Sequence, residues 1–511
     1  MPGGGILMRA RSLAKNTVSS LIFQICTIVC GFILPRLILK SFGSEVNGLV
    51  NSITEFLGII SFLELGVGAV VQSSLFKPLA TRDNEEISKI VESAQKFFRI
   101  LAMILAIYVG ILIFIYPILV NQSFGFGYVA ILILAMSISS FAQYYFGVVN
   151  RLLLVADQHG YVVYSIQTVV IILNTLACFG LIRLNASIQL VKLTTSVIYL
   201  AAPVLMSSYI NRYYKIDKKI KYVGEPINGK WNGVAQHVAA VVLNGTDNIV
   251  LSIFTSFSMV SIYSVYHLVL NGVKNLMISM TNGIHSLLGE LWAKQENEKL
   301  RKYFEWSEWI IHTSTTFVFS VTAILIVPFV SVYTKGVKDA DYVQPLFALL
   351  ITAASAAVCY RLPYSIMILA SGHYKQTQKC YIAAAGINII ISVICVKSHG
   401  LIGVAIGTLA AIFYQTLWMS VYVSNHLVKR QKRIFFKQII VDIATAIIIY
   451  KATQGLHIDK LSYSSWIVLA IYVSVIGIAI TIAINIIFNH TYVKKMAVFV
   501  IYIFNRKSLE L

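Results

Sequence analysis

Apolar residues in this chain come in long runs that recur from one end to the other. A helix needs about 20 apolar residues to cross a bilayer. Runs of that length predict spans over 16–40, 46–76, 97–120, 128–150, 161–183, 189–211, 233–256, 261–290, 309–333, 344–371, 379–397, 401–427, 439–455 and 464–489. None of the polar stretches between them is long enough to form a soluble domain. The pattern predicts an all-α integral membrane protein with about 14 transmembrane helices.

The charges that interrupt the pattern set its orientation. Lys and Arg accumulate in cytoplasmic loops, and 30 of the 41 here fall on one side if the N-terminus is inside. Both termini are therefore expected in the cytoplasm. The same distribution accounts for the net charge of +20, because basic loops face anionic headgroups, and no nucleic-acid partner is needed. Composition agrees. Charged residues make up 12% of the chain, against about 25% in a soluble domain. Residues 1–15 read as a short basic cytoplasmic leader without a small-residue cleavage site. The six cysteines all lie in or at the ends of apolar runs. Even Cys26 and Cys30, at i,i+4, read as small buried helix residues and not as a metal pair.

The chain also repeats itself weakly. At a spacing of 213, Ser73, Leu75, Ala80, Asn84, Glu85, Lys89 and Glu92 match Ser286, Leu288, Ala293, Asn297, Glu298, Lys302 and Glu305. At a spacing of 214, Ala156, His159 and Asn174 match Ala370, His373 and Asn388. The expected organisation is an N-lobe over 16–211, a cytoplasmic linker over 212–232, a C-lobe over 233–427, an appended helix pair over 428–489 and a cytoplasmic tail over 490–511. Parallel repeats of this kind are a transporter architecture, with the site between the halves.

Ionisable residues inside spans cost about 2.5–3.5 kcal/mol each at the bilayer centre and are functional candidates by default. Here they are Arg36, Glu55, Glu64, Asp247, Lys274 and Arg361. Asp442 and Glu290 fall near cytoplasmic span ends, where water is close. In the eighth span His267, Asn271, Lys274, Thr281 and His285 recur at helical spacing and predict one polar stripe. The seventh carries His237, Asn244, Asn248, Ser252 and Thr255 on one face, with Asp247 at its edge, and the second carries Asn47, Asn51 and Glu55. Such stripes must face a wet cavity or another polar helix. A structural alternative is that Asp247 and Lys274 neutralise one another. Arg361, Lys274 and Arg36 lie at increasing distance from the cytoplasm. With His267 and Asn271 they are the candidate substrate-binding residues, because Arg and Lys pair naturally with phosphate oxygens. Glu55, Asp247 and Glu64 are the candidate ion-coupling residues. No catalytic or metal-ligating set is expected.

The stretch KNTVSSLIFQICTIVCGFILPRLILKSFGSEVNGLVNSITEFLGIISFLELGVGAVVQSSLFKPLA (15–80) resembles the opening of the polysaccharide transporters, the Wzx-type flippases of the MATE-like MOP superfamily. NGTDNIVLS (244–252), VYHLVLNGVKN (265–275) and SGHYKQTQK (371–379) add to the resemblance. It implies a MATE-like two-lobed fold of two six-helix repeats plus two helices, with a cationic cavity. It implies export of undecaprenyl-pyrophosphate-linked oligosaccharide repeat units across a bacterial cytoplasmic membrane, for capsule, exopolysaccharide or O-antigen. It implies no cofactor, coupling to protons or sodium, and as partners membrane lipids, a polysaccharide polymerase and glycosyltransferases. Two alternatives stay open: a multidrug/cation antiporter of the same superfamily, which a net-positive cavity disfavours but Glu55 and Asp247 keep open, and a membrane-embedded polysaccharide polymerase or ligase. The short outer connections at 121–127 and 184–188 disfavour the second.

Overall fold

The computed structural model describes residues 3–120, 124–217, 220, 222, 224–227, 245–458 and 460–496. Every regular element among them is helical. In chain order they are α1 (Gly3–Gly58), α2 (Ser61–Thr81), α3 (Asn84–Leu119), α4 (Phe126–Ala142), α5 (Val148–Ala156), α6 (Gly160–Arg183), α7 (Ile188–Tyr213), α8 (245–254) and α9 (Phe257–Ser279). There follow α10 (Asn282–Ala293), α11 (Asn297–Tyr333), α12 (Pro345–Tyr360), α13 (Leu362–Ala370), α14 (Tyr374–Tyr422), α15 (Arg433–Thr453) and α16 (Tyr463–Phe488). His237, Asn244 and the start of the expected seventh span lie outside the described residues, as do part of the linker and the end of the tail.

Nine helices among the described residues are long and apolar enough to cross a membrane. Two of them contain a glycine in the left-handed region, Gly43 (φ 83°) in α1 and Gly400 (φ 50°) in α14, and each is two helices joined end to end. Past Gly400 the chain doubles back, so that Asn388 Nδ2 donates to Thr408 Oγ1 at 3.0 Å. A few helices start on a side-chain cap. Asp83 accepts from Glu86 N at 3.0 Å at the start of α3, and Ser462 accepts from Ser465 N at 3.2 Å at the start of α16.

Three expected spans are interrupted. The span at 46–76 breaks at 59–60, between α1 and α2. The span at 261–290 breaks at Met280 and Thr281, where the Thr281 hydroxyl donates to Ile278 O at 2.7 Å and competes with the backbone ladder. The span at 344–371 breaks at Arg361, because Pro363 has no N–H to continue the ladder of α12. The span at 128–150 instead runs on to 156 through a π turn at Gln143–Gly147, and a second π turn, Val423–Leu427, ends the helix after Gly400.

The surface shows the solvent. On α3, Leu101, Ala102, Leu105, Val109 and Leu112 are buried, while Ile100, Met103, Ile104, Ile107 and Ile111 are exposed. A helix apolar on both its packed and its open face is stable only if the open face meets lipid. At 36 residues and about 1.5 Å per residue, α3 is longer than the hydrocarbon core it crosses. The protein is a multi-pass membrane protein.

The chain forms two compact units, Met1–Ser264 and Val265–Leu511. The core of the first includes Leu49, Ile53, Leu75, Phe98 and Tyr116, with the Tyr116 hydroxyl donating to Ser52 Oγ at 2.8 Å. Helix 44–58 also carries the stretch 245–261 in this unit, past the expected linker at 212–232. Asn47 Nδ2 donates to Ser261 Oγ at 2.7 Å, and Asn248 Nδ2 donates to Glu55 Oε1 at 3.2 Å. The approach is so close that a Cβ on Gly48 would sit 1.7 Å from the Phe257 carbonyl oxygen. The second unit has one core around Phe304, Tyr364, Met367, Met419 and Val423 and a smaller one at Leu325, Leu469 and Val473.

Candidate functional site

In the first unit, the structure brings together two of the candidate ion-coupling carboxylates. Glu55 is held by the Asn248 amide, and Asp247 Oδ2 accepts from the Tyr263 hydroxyl at 2.8 Å. The carboxylates are close enough to act on each other electrostatically. The buried Oδ1 of Asn248 has no hydrogen-bond partner among the described residues. Two neighbouring acids, with a carboxamide and a phenol beside them, suit a small hard cation or a shared proton. Glu64 is not part of this group. It pairs with Arg151 Nη2 at 2.5 Å, so a residue expected in ion coupling is held by a cation on α5. Arg36 is partly buried on α1, seven residues before Gly43.

The other substrate-binding candidates lie in the second unit. Asn271 Nδ2 and His267 Nδ1 are 3.0 Å apart on successive turns of α9, and Lys274 follows one turn on. The stripe does not continue as expected. The break at Met280 and Thr281 ends α9, Thr281 is buried, and His285 is exposed on α10. Lys274 acts electrostatically on both His267 and Cys359, and Arg361 acts on Cys359, Cys380 and Tyr381. Lys274 on α9 and Arg361 at the break after α12 thus both act on the buried Cys359 thiol. The Nε and Nη1 atoms of Arg361 are buried and have no hydrogen-bond partner among the described residues. A buried guanidinium in that condition calls for an anion.

A second polar group in this unit escaped the sequence reading. Arg430 makes a bidentate ion pair with Glu308 and lies over the Phe304 ring at 4.8 Å. The Tyr364 hydroxyl donates to Glu308 and lies 3.3 Å from His312 Nε2. His312 Nδ1 is 2.9 Å from Asp442 Oδ2, and Gln438 Nε2 donates to Asp442 Oδ1 at 2.9 Å. From Gln438 the chain passes through Asn489 to Asn485, which accepts from Trp309 Nε1 at 2.8 Å. Asp442, expected near water, is 3% exposed. Depth along a helix says nothing about which way a side chain faces. The available signal was Glu308 and His312 at i,i+4, on one face of a helix that opens just before an apolar run.

Outside the spans, the turn between α5 and α6 holds Asp157, His159 and the Tyr214 hydroxyl together. Burial would raise the Asp157 carboxyl, but hydrogen bonds from His159 and Tyr214 outweigh it and hold it below its ordinary value. The same bond to Asp157 pushes His159 up, against burial.

No family model matches the chain, and no curated protein matches its sequence. Solved structures do match its fold. One is the lipid II flippase MurJ in an inward closed conformation, with a TM-score of 0.70 at 15% identity over 94% of this chain and 99% of that one. Another is a mutant of the Vibrio cholerae MATE transporter VcmN, with a TM-score of 0.60 at 10% identity over 83% and 98%. A third is the MATE multidrug transporter DinF-BH in a ligand complex, with a TM-score of 0.60 at 14% identity over 83% and 96%. The fold is MATE-like. At these identities the likeness speaks for architecture only. The same MATE-like fold serves a lipid flippase and multidrug transporters, so the fold by itself names no activity.

Proposed function

We propose that this MATE-like protein is a flippase for lipid-linked oligosaccharides. Its cargo would be undecaprenyl-pyrophosphate-linked repeat units, moved by alternating access from the inner to the outer leaflet of a bacterial cytoplasmic membrane, with both termini in the cytoplasm. The observation that carries the reading is the partly buried Arg361, whose guanidinium Nε and Nη1 are buried with no partner among the described residues. Lys274 shares the Cys359 thiol with it. A pyrophosphate supplies the missing acceptors, and guanidinium is well matched to phosphate oxygens. Arg36, His267 and Asn271 are assigned to the same cargo. The match to MurJ over nearly the whole chain supports a lipid-flipping role. Two negative charges moving outward gain about 4.6 kcal/mol at 100 mV, negative inside.

Glu55 and Asp247 favour a second reading, export of a cationic drug in exchange for an ion. In the flippase reading they bind the coupling proton or sodium. Reconstitution into vesicles separates the two. Wild-type protein should flip a lipid-linked oligosaccharide, and Arg361→Gln should lose most of that activity at equal abundance. Flipping unchanged in Arg361→Gln, or a lipophilic aromatic cation transported while the lipid is not, would overturn the proposal.

A further inference from the structure

Four helices of the second unit enclose a slot of about 450 Å³: α11, α12, the part of α14 past Gly400, and α15. Four of its polar side chains bond within the protein. The Thr316 and Tyr360 hydroxyls lie 2.9 Å apart, Thr416 donates to Ala357 O at 3.1 Å, and Asp442 is taken up by His312 and Gln438. The walls are otherwise mostly apolar. At the rim Leu349, Ala353, Phe413, Phe436 and Ile443 are all exposed. Exposed apolar side chains on membrane-spanning helices face hydrocarbon, so the slot opens sideways into the bilayer. Along α15 it runs from Phe435 to Ala446, roughly 16 Å at 1.5 Å per residue. That is about half of a hydrocarbon core of about 30 Å, the depth of one leaflet.

One end of the slot is marked by charge. Two of its walls, α14 and α15, are joined by the π turn Val423–Leu427 and the stretch 428–432. Arg430 turns inward from this stretch to Glu308, which pins it in place. Lys429, Lys432 and Arg433 are exposed, and none of them pairs with an acid among the described residues. Exposed cations at the start of α11 differ. There Lys299 has Glu296 at 2.8 Å and Arg301 has Glu305 at 3.1 Å. Lys432 and Arg433 stand one helical turn before Phe435 and Phe436, at the foot of the slot.

We infer that the slot seats one acyl chain of an anionic glycerophospholipid, whose phosphate rests on Lys429, Lys432 and Arg433. An apolar channel one leaflet long, ending in uncompensated positive charge, matches hydrocarbon joined to an anion at a fixed distance. A zwitterionic lipid brings no net charge to that end. On the orientation proposed above, the lipid comes from the inner leaflet. The inference does not depend on the cargo.

The test is native mass spectrometry of the full-length protein, delipidated in detergent and titrated with phosphatidylglycerol or with phosphatidylethanolamine of the same chains. The first lipid bound is scored. Each cation beside an anionic headgroup is worth about fivefold, so phosphatidylglycerol should bind at least about tenfold more tightly. Replacing Lys429, Lys432 and Arg433 together by Gln should erase the preference and leave the chain contact. Ala353→Trp fills the slot from an exposed position and should weaken both lipids. Equal affinity for the two lipids in the wild type overturns the inference, as does a preference that survives the triple substitution. Binding unchanged in Ala353→Trp puts the lipid elsewhere and overturns it too. Undecaprenyl phosphate displacing phosphatidylglycerol at equal concentration would make the slot a cargo site and overturn the assignment. No arm reads flipping, so failure here leaves the proposed function standing.

Discussion

Among the described glycines, Gly48 has the least room for a side chain. A methyl group there would lie 1.7 Å from the carbonyl oxygen of Phe257 and 2.5 Å from its carbon. Both are backbone atoms, so no side chain can swing aside, and Gly48→Ala must push the two segments apart. Overpacking of this kind costs about 1–3 kcal/mol. Losing the buried bond from Asn47 to Ser261 one residue away costs about 1 kcal/mol more. Alanine recovers about 1 kcal/mol over glycine inside a helix, which leaves about 1–3 kcal/mol against the closed contact. At 25 °C that lowers its population by roughly 5- to 150-fold. The assay is oxidative cross-linking of an Asn47→Cys/Ser261→Cys pair in native membranes, with and without Gly48→Ala. With the Asn47–Ser261 bond absent from both backgrounds, about 1 kcal/mol remains at the middle of the overpacking range, and the alanine should slow cross-linking by about fivefold. Gly31→Ala, where a Cβ meets nothing within 4 Å, should leave the rate unchanged. Cross-linking at the parental rate in Gly48→Ala would refute the close approach.

Breaking the Glu308–Arg430 pair from one side should be more damaging than removing both members. Glu308→Gln should lose about 3–5 kcal/mol, and Glu308→Leu/Arg430→Met much less, as measured by denaturant unfolding in detergent micelles. The Asp157–His159 turn should be most stable in a window between the ordinary values of the two groups, 3.8 and 6.5. The raised His159 adds stability that is lost as pH climbs through its folded value. The lowered Asp157 adds stability that is lost as pH falls through its own. Limited proteolysis at 157–160 across pH should show a minimum in that window, and His159→Asn should flatten it.

The membrane fold was legible because lipid imposes long apolar runs, and these need no tertiary information. Gly43 and Gly400 fall between expected spans for the same reason. The breaks at 59–60 and Thr281 were hidden, because both lie inside a single continuous hydrophobic run. Arg361 and Lys274 were visible as charges where none belongs, and Glu55 with Asp247 likewise. Glu64 looked the same in sequence, and only the packing of α2 against α5 reveals its partner Arg151. The network at Glu308, His312, Arg430 and Asp442 was missed because three of its members stand at span ends. There a charge reads as solvated until its neighbours are known.

A π turn carries one residue more than the α turn it replaces. Side chains beyond it are rotated by about 100° from where uninterrupted winding would put them. Gln143–Gly147 therefore divides the rod from Phe126 to Ala156 into two rotational phases. Arg151 stands in the second phase, and its meeting with Glu64 belongs to that phase alone. Removing any one residue from the turn would restore regular winding and swing Arg151 off its carboxylate, leaving an acid stranded inside the bundle. The extra residue, once acquired, is locked in by an ion pair on another helix. Length in this stretch is consequently constrained even where residue identity is not.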